Sequence, residues 1–215
     1  MAEIIDIFDA NLQPLGKMER LEAHLKGYWH RTFHCWVVTS ENRGRILFQH
    51  RSAEMANFPN TFDVSAAGHL EAGEDLKDGI REVSEELGIL LSIERLNSLG
   101  YRVEVGDQSN GQLNREYQAV YMLSLDIPLS EYHPQVEEVS GLFWLNISDG
   151  LQLFAGSLQA ATMEGILYNK SSQQWETSSR VVTEKDFLPR IQKYYLTACI
   201  MAERLIENRF PLAIS

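Results

Sequence analysis

Three glutamates, Glu82, Glu85 and Glu86, are spaced i, i+3, i+4 within residues 76–88, where Leu76, Ile80, Val83 and Leu87 repeat with helical period. On a helix the apolar set forms one stripe that packs on a core, and the glutamates share a different face. Like charges at that spacing cost about 0.2–0.5 kcal/mol per pair. A solvated acidic face would account for them if they stood alone. They are preceded, however, by Gly-His-Leu-Glu-Ala-Gly-Glu over residues 68–74, which adds glycines, a histidine and two more carboxylates just ahead of the helix. Hard cations such as Mg²⁺ take several convergent oxygens and bridge carboxylates to substrate phosphates. The chemistry suggested is metal-assisted work on a phosphate group.

Gly68 to Glu74, followed by Arg81-Glu82-Val83-Ser84-Glu85-Glu86-Leu87-Gly88-Ile89, resembles the Nudix box, G-x5-E-x7-R-E-U-x-E-E-x-G-U with U aliphatic. Every specified residue is present, but six residues rather than seven separate Glu74 from Arg81. The apolar period from Leu76 onward is intact, which places the shortening in the loop or the first helical turn. The resemblance implies a Nudix pyrophosphohydrolase that cleaves a diphosphate linkage by attack of water. It implies Glu82, Glu85 and Glu86 as catalytic metal ligands, the Gly68 carbonyl as a further ligand, and Mg²⁺ as the cofactor, with Mn²⁺ able to replace it. Arg81 and Glu74 would support the box, with Arg81 orienting a box carboxylate.

Outside the box, WHRTFHCWVV, RILFQHRS and FPNTFDVSAAGH resemble the Nudix branch related to type I isopentenyl-diphosphate isomerase. In that branch a metal is held by histidines and glutamates. The matching positions are His24, His30, His69 and Glu116, a mixed nitrogen and oxygen set that suits Zn²⁺, Mn²⁺ or Fe²⁺. They are expected to converge as a wall of the substrate pocket or a second metal site of weak occupancy. Arg51, at the end of RILFQHR, matches a position that contacts substrate phosphate, a task suited to a guanidinium. The catalytic cysteine of the isomerases falls at Ala67, and a second glutamate of their metal site at Asn114. The lysines they carry after the second strand are replaced by Glu54, Met55 and Ala56. Alanine neither donates nor accepts a proton, so hydrolysis ranks above isomerisation. A non-catalytic diphosphate-binding module is the third alternative, opposed by the intact glutamates.

The elements that must position these residues are legible in outline. EIIDIFD and PLGKM read as a hairpin, residues 17–26 as helical or irregular, and FHCWVVTS and RILFQHRS as strands joined by the turn ENRG. Residues 57–75 read as a loop. LNSLGYRVEV and REYQAVYMLSLD read as strands around the polar segment 106–114, and VSGLFWLNI as another strand. The C-terminal sixty residues suggest one segment around LQLFAG and a long amphipathic helix over 186–209. With these elements, the resemblance implies an α/β fold: a Nudix α/β/α sandwich with a mixed sheet, an N-terminal hairpin and a C-terminal helical extension. The organisation would be a lead-in over 1–29, a Nudix core over 30–148 and an extension over 149–215 packed on that core. With 44% hydrophobic and 23% charged residues, this is globular composition rather than disorder. The net charge of −11, without a basic cluster, argues against nucleic-acid polymers and anionic membranes as partners. A small-molecule diphosphate remains, because a bound cation inverts the local sign; a homodimer is allowed. No apolar run approaches a membrane span and the N-terminus lacks a signal-peptide pattern, so a cytoplasmic location is expected. Cys35 and Cys199, far apart in apolar segments, are expected to be buried thiols.

Overall fold

The computed structural model describes residues 2–107 and 110–214. At the N-terminus β1 (Ile4–Phe8) and β2 (Pro14–Glu19) form an antiparallel hairpin that runs into α1 (Arg20–Lys26). The Asp9 carboxylate closes the turn by accepting the N–H groups of Asn11 and Gln13, each at 2.8 Å.

The main sheet is mixed. Its order is β11 (Gln174–Val182), β10 (Ala161–Asn169), β9 (Val139–Asn146), β4 (Arg45–Arg51), β3 (His30–Thr39), β8 (Leu113–Ser124) and β7 (Asn97–Asp107). β3 and β8 run parallel and the other neighbours antiparallel. β3 is covered on both faces, which explains the apolar run of Cys35, Trp36, Val37 and Val38 within it. One face carries Trp36, Val38, Ile46 and Phe48 and packs against α3 (Ile147–Ala155) and α4 (Tyr194–Ile206). The other carries Phe33, Cys35, Val37 and Leu47 and packs against α2 (Arg81–Leu87) through Val83 and Leu87. This is the α/β/α sandwich. Both thiols are buried, and desolvation pushes Cys35 up to about 12.

The feature that creates a site is a fork. β3 and β4 share two register pairs, Val38–Ile46 and Thr39–Arg45. Beyond these the strands part, and two short strands fill the gap: β5 (Phe62–Asp63) on β4, and β6 (Ala66–His69) on β3. Ser65 ties the fork together. Its hydroxyl accepts the Val37 N–H at 2.9 Å and donates to the Leu47 carbonyl at 2.6 Å.

Several elements differ from expectation. Residues 57–75 contain β5 and β6, too short to register as periodic. The box helix is preceded by a 3₁₀ turn at Asp78–Ile80, and regular α-helix begins only at Arg81. A 3₁₀ turn uses fewer residues per turn than an α-helix, so the shortened spacing falls where the helix is wound tighter. The C-terminal region is not helical throughout. β10 and β11 form a hairpin that extends the sheet, and the last long helix covers Tyr194–Ile206 rather than 186–209. β11 is an edge strand exposed along most of its length, so its sequence QWETSSRVV lacks the alternation of a half-buried strand. The polar segment 106–114 includes positions 108 and 109, which lie outside the described residues.

Candidate active site and metal centre

The fork opens into a cavity of about 370 Å³. The end of β6, the box helix and the ends of β3 and β8 line it. Among the described residues its lining holds eight carboxylates against four guanidiniums. Arg81 organises the box. Its guanidinium donates to both oxygens of Glu74 at 2.9 and 3.1 Å, to Glu82 at 2.7 Å, to Glu85 at 2.9 Å and to the His69 carbonyl at 2.9 Å. Glu74 thus stays within reach of Arg81 despite the shortened spacing. The guanidinium pKa is raised, first through the bond to Glu74.

Glu82 and Glu86 are buried beside one another, while Glu85 is half exposed and turned to Arg81. Glu86 accepts the Ala67 N–H at 2.7 Å and the Gln49 amide at 3.1 Å. Desolvation pushes Glu82 up to about 7, with Arg81 partly opposing it. Desolvation, and then repulsion from Glu82, raises Glu86 well above the usual carboxylate range. The approach of Glu82 to β6 requires glycine: a Cβ on Gly68 would lie 2.1–2.3 Å from the Glu82 carboxylate. An oxygen-rich set containing two adjacent buried carboxylates, only one of them paired with an arginine, fits a hard divalent cation.

His24 on α1, His30 on β3, His69 on β6 and Glu116 on β8 come together, with one ligand atom from each within 4.8 Å of all the others. The His30 and His69 ring centres are 5.1 Å apart, and the Nε2 atoms of His24 and His69 are 3.2 Å apart. Parallel pairing of β3 with β8 sets His30 directly across from Glu116. His30 Nδ1 bonds the Tyr28 carbonyl at 3.0 Å, which leaves Nε2 pointing toward Glu116, 3.9 Å away, without a hydrogen-bond partner among the described residues. Burial lowers His24 to about 4 and His69 well below the ordinary imidazole range. For Glu116 burial acts upward, but attraction to His30 leaves the carboxylate below its ordinary value. Neutral imidazoles at His24 and His69, the orphaned ring nitrogen of His30 and an ionised carboxylate suit a divalent metal with nitrogen ligands.

Arg51, Ala67 and Asn114 line the same cavity. Arg51 donates to the Phe58 and Asn57 carbonyls at 3.3 and 3.1 Å, which fixes the arginine at the rim. Phe58 lies on that wall, whereas Trp36 and Trp144 are buried. Sequence reasoning missed Thr32, His34, Asp63, Glu138 and Arg190, all of which line the cavity. No motif marks Arg190, which arrives from the segment between β11 and α4.

A family model described as NUDIX domain matches residues 29–163. The chain is 35% identical over 194 residues to an uncharacterised Nudix hydrolase of Clostridium acetobutylicum, covering 90% of this chain and 93% of that one. It is 28% identical over 148 residues to isopentenyl-diphosphate delta-isomerase 2 of Photorhabdus laumondii, covering 68% and 79%. Among solved structures, DR0079 of Deinococcus radiodurans shares the fold, with a TM-score of 0.53 at 24% identity over 72% of this chain and 90% of that one. Members of this family typically use divalent metals, and no helix among the described residues is long and apolar enough to cross a membrane. The box helix set against the fork, and the match over most of the chain, lead to one assignment: the protein belongs to the Nudix family and is one of its hydrolases.

Proposed function

We propose that the cleft hydrolyses a diphosphate linkage in a small molecule, with Mg²⁺ or Mn²⁺ held by Glu82, Glu85, Glu86 and the Gly68 carbonyl. One observation carries this: buried Glu82 and Glu86, both shifted toward protonation, share a cavity in which carboxylates outnumber guanidiniums two to one. Such a cavity repels an anionic substrate until cations enter it. A divalent metal held by these residues would supply charge neutralisation of the diphosphate and activation of water. The protein's own task is placement. Arg81 holds Glu82 and Glu85, the Ala67 N–H and Gln49 hold Glu86, and Arg51 meets the phosphate at the rim. Water attacks phosphorus, the bridging P–O bond breaks, and a carboxylate takes the proton from water. Glu138, just before β9, is a candidate for that carboxylate from outside the box.

The test is Glu85→Gln and Glu86→Gln. Both should stay folded, and each should lose roughly two or more orders of magnitude in metal-dependent turnover, the scale of removing a main electrostatic stabiliser. Wild-type turnover in both purified variants would overturn the assignment. We read the His24, His30, His69 and Glu116 cluster as a wall of the same pocket with weak affinity for a divalent metal, since Asn114 and Ala67 add no ligand charge to it.

A further inference from the structure

At the floor of the cleft lies a buried ion pair that the box chemistry does not use. Asp63 ends β5, and its Oδ1 accepts Arg190 Nη2 at 2.7 Å and the Tyr195 hydroxyl at 3.3 Å. Both side chains are more than nine-tenths buried. The segment carrying Arg190 is fastened to β5. Phe187 bridges Phe62, and the Leu188 N–H donates to the Phe62 carbonyl at 2.8 Å. The pair is therefore assembled from the Nudix core and from residues beyond 163, outside the family match.

Hydrogen-bonding capacity is left over there. Asp63 Oδ2 makes no hydrogen bond within the described residues, and Arg51 Nη1 lies 4.0 Å from it. Arg190 Nε and Thr32 Oγ1 are buried without partners among the described residues. Attraction to Arg190 and Arg51 overcomes the effect of burial, and Asp63 stays ionised. Unpaired buried polar groups each cost roughly 1–3 kcal/mol until something bonds them. Apolar lining is confined to Met55, Phe58, Ala67 and Leu188. A hydrocarbon seated here would leave an acceptor and donors unsatisfied. A second anionic group would meet Asp63 and Glu116. A neutral group that both donates and accepts, such as neighbouring hydroxyls, satisfies both sides.

We propose that Asp63 and Arg190 are specificity-determining residues that read a polyhydroxylated, sugar-like group attached to the diphosphate. This rests on the hydrolase reading above. The C-terminal segment thereby selects the substrate, while the box does the chemistry.

The experiment compares a nucleotide sugar, UDP-glucose or ADP-ribose, with dimethylallyl diphosphate at saturating Mg²⁺. Wild type should favour a nucleotide sugar at least about 100-fold in kcat/KM, the scale on which sites built to bond hydroxyls reject analogues that lack them. Asp63→Asn should cost at least about tenfold for the sugar substrate, mainly in KM. Since Asp63→Asn leaves buried Arg190 with only the more distant Glu104, 3.7 Å from its Nη1, the double variant Asp63→Leu/Arg190→Met removes both charges together and leaves Glu104 paired with Arg102, an exchange that folds tolerate better. It should melt cooperatively and lose the preference for the nucleotide sugar. Preference of wild type for the prenyl compound, or an unchanged preference in the folded double variant, overturns the proposal. If wild type cleaves neither compound, neither is its turnover substrate, and recognition is read apart from hydrolysis. Calorimetric binding of uncleaved UDP-glucose and ADP-ribose to wild type and double variant then decides recognition, which stands only if the variant binds at least about tenfold more weakly.

Discussion

The backbone N–H of Ala67 donates to Glu86, at the position that the sequence resemblance matches to the isomerase cysteine. The position keeps its structural duty to the box and loses any capacity to move a proton. The buried thiol nearest in sequence, Cys35, is pushed up to about 12 by desolvation and packs on the box-helix side of the sheet. Isopentenyl diphosphate incubated with the protein at saturating Mg²⁺ or Mn²⁺ should therefore yield no dimethylallyl diphosphate by NMR. Conversion as fast as diphosphate hydrolysis would mean that another residue supplies the missing proton transfer. Gly68 shows how closely the site is packed at this scale. A Cβ there would force the Glu82 carboxylate to shift, so the box glycine answers to side-chain proximity rather than to backbone conformation.

At the scale of elements, the β10–β11 hairpin widens the sheet and adds to the core on its α3–α4 face. Ala161, Met163 and Val182 are its buried residues in that core, against the α3–α4 layer. It is seated on β9 through close backbone contact at Gly165, where a Cβ would fall 1.9 Å from the Leu142 carbonyl oxygen. Backbone cannot yield as a flexible side-chain tip does. Gly165→Ala should lower unfolding stability by at least about 2 kcal/mol in urea titration, a steric cost of the overpacking class. A change below about 0.5 kcal/mol, as at an ordinary surface position, would show that β10 is not registered on β9 this way. The box helix shows a different dependence. At two turns it is too short to be stable alone, and its stripe of Val83 and Leu87 holds it to the sheet.

For the whole molecule, burial of titratable groups couples stability to pH. Desolvation, and then repulsion from Arg180, lowers His50 to about 4. Between its ordinary value near 6.5 and 4 the unfolded chain binds this proton and the native protein does not, so stability falls as pH drops through that window. His34, buried and lowered to about 3, acts in the same sense to lower pH, whereas Glu82 takes up a proton in the native state and acts oppositely. The His50 share is isolated by comparison with His50→Gln. Between pH 7 and 4 the variant should lose about 1–3 kcal/mol less than wild type in urea titrations, with the difference flat above pH 7. Parallel stability curves would refute it. The box glutamates could be read from the sequence because helical spacing is local: residues at i, i+3 and i+4 share a face wherever the helix lies. The central strands could be read because burial on both faces leaves an apolar run. The histidine cluster was legible only through resemblance, since its members sit on four separate elements. The hairpin escaped because an exposed edge strand carries no hydrophobic period. The Asp63–Arg190 pair joins residues 127 positions apart, and no local pattern encodes it. The sequence by itself determined the box, its metal-suited carboxylates and the layered architecture. The fork between β3 and β4, and the C-terminal arginine brought to its floor, were decided by tertiary packing, because burial and charge pairing act between chain segments whose separation in sequence says nothing of their distance in space.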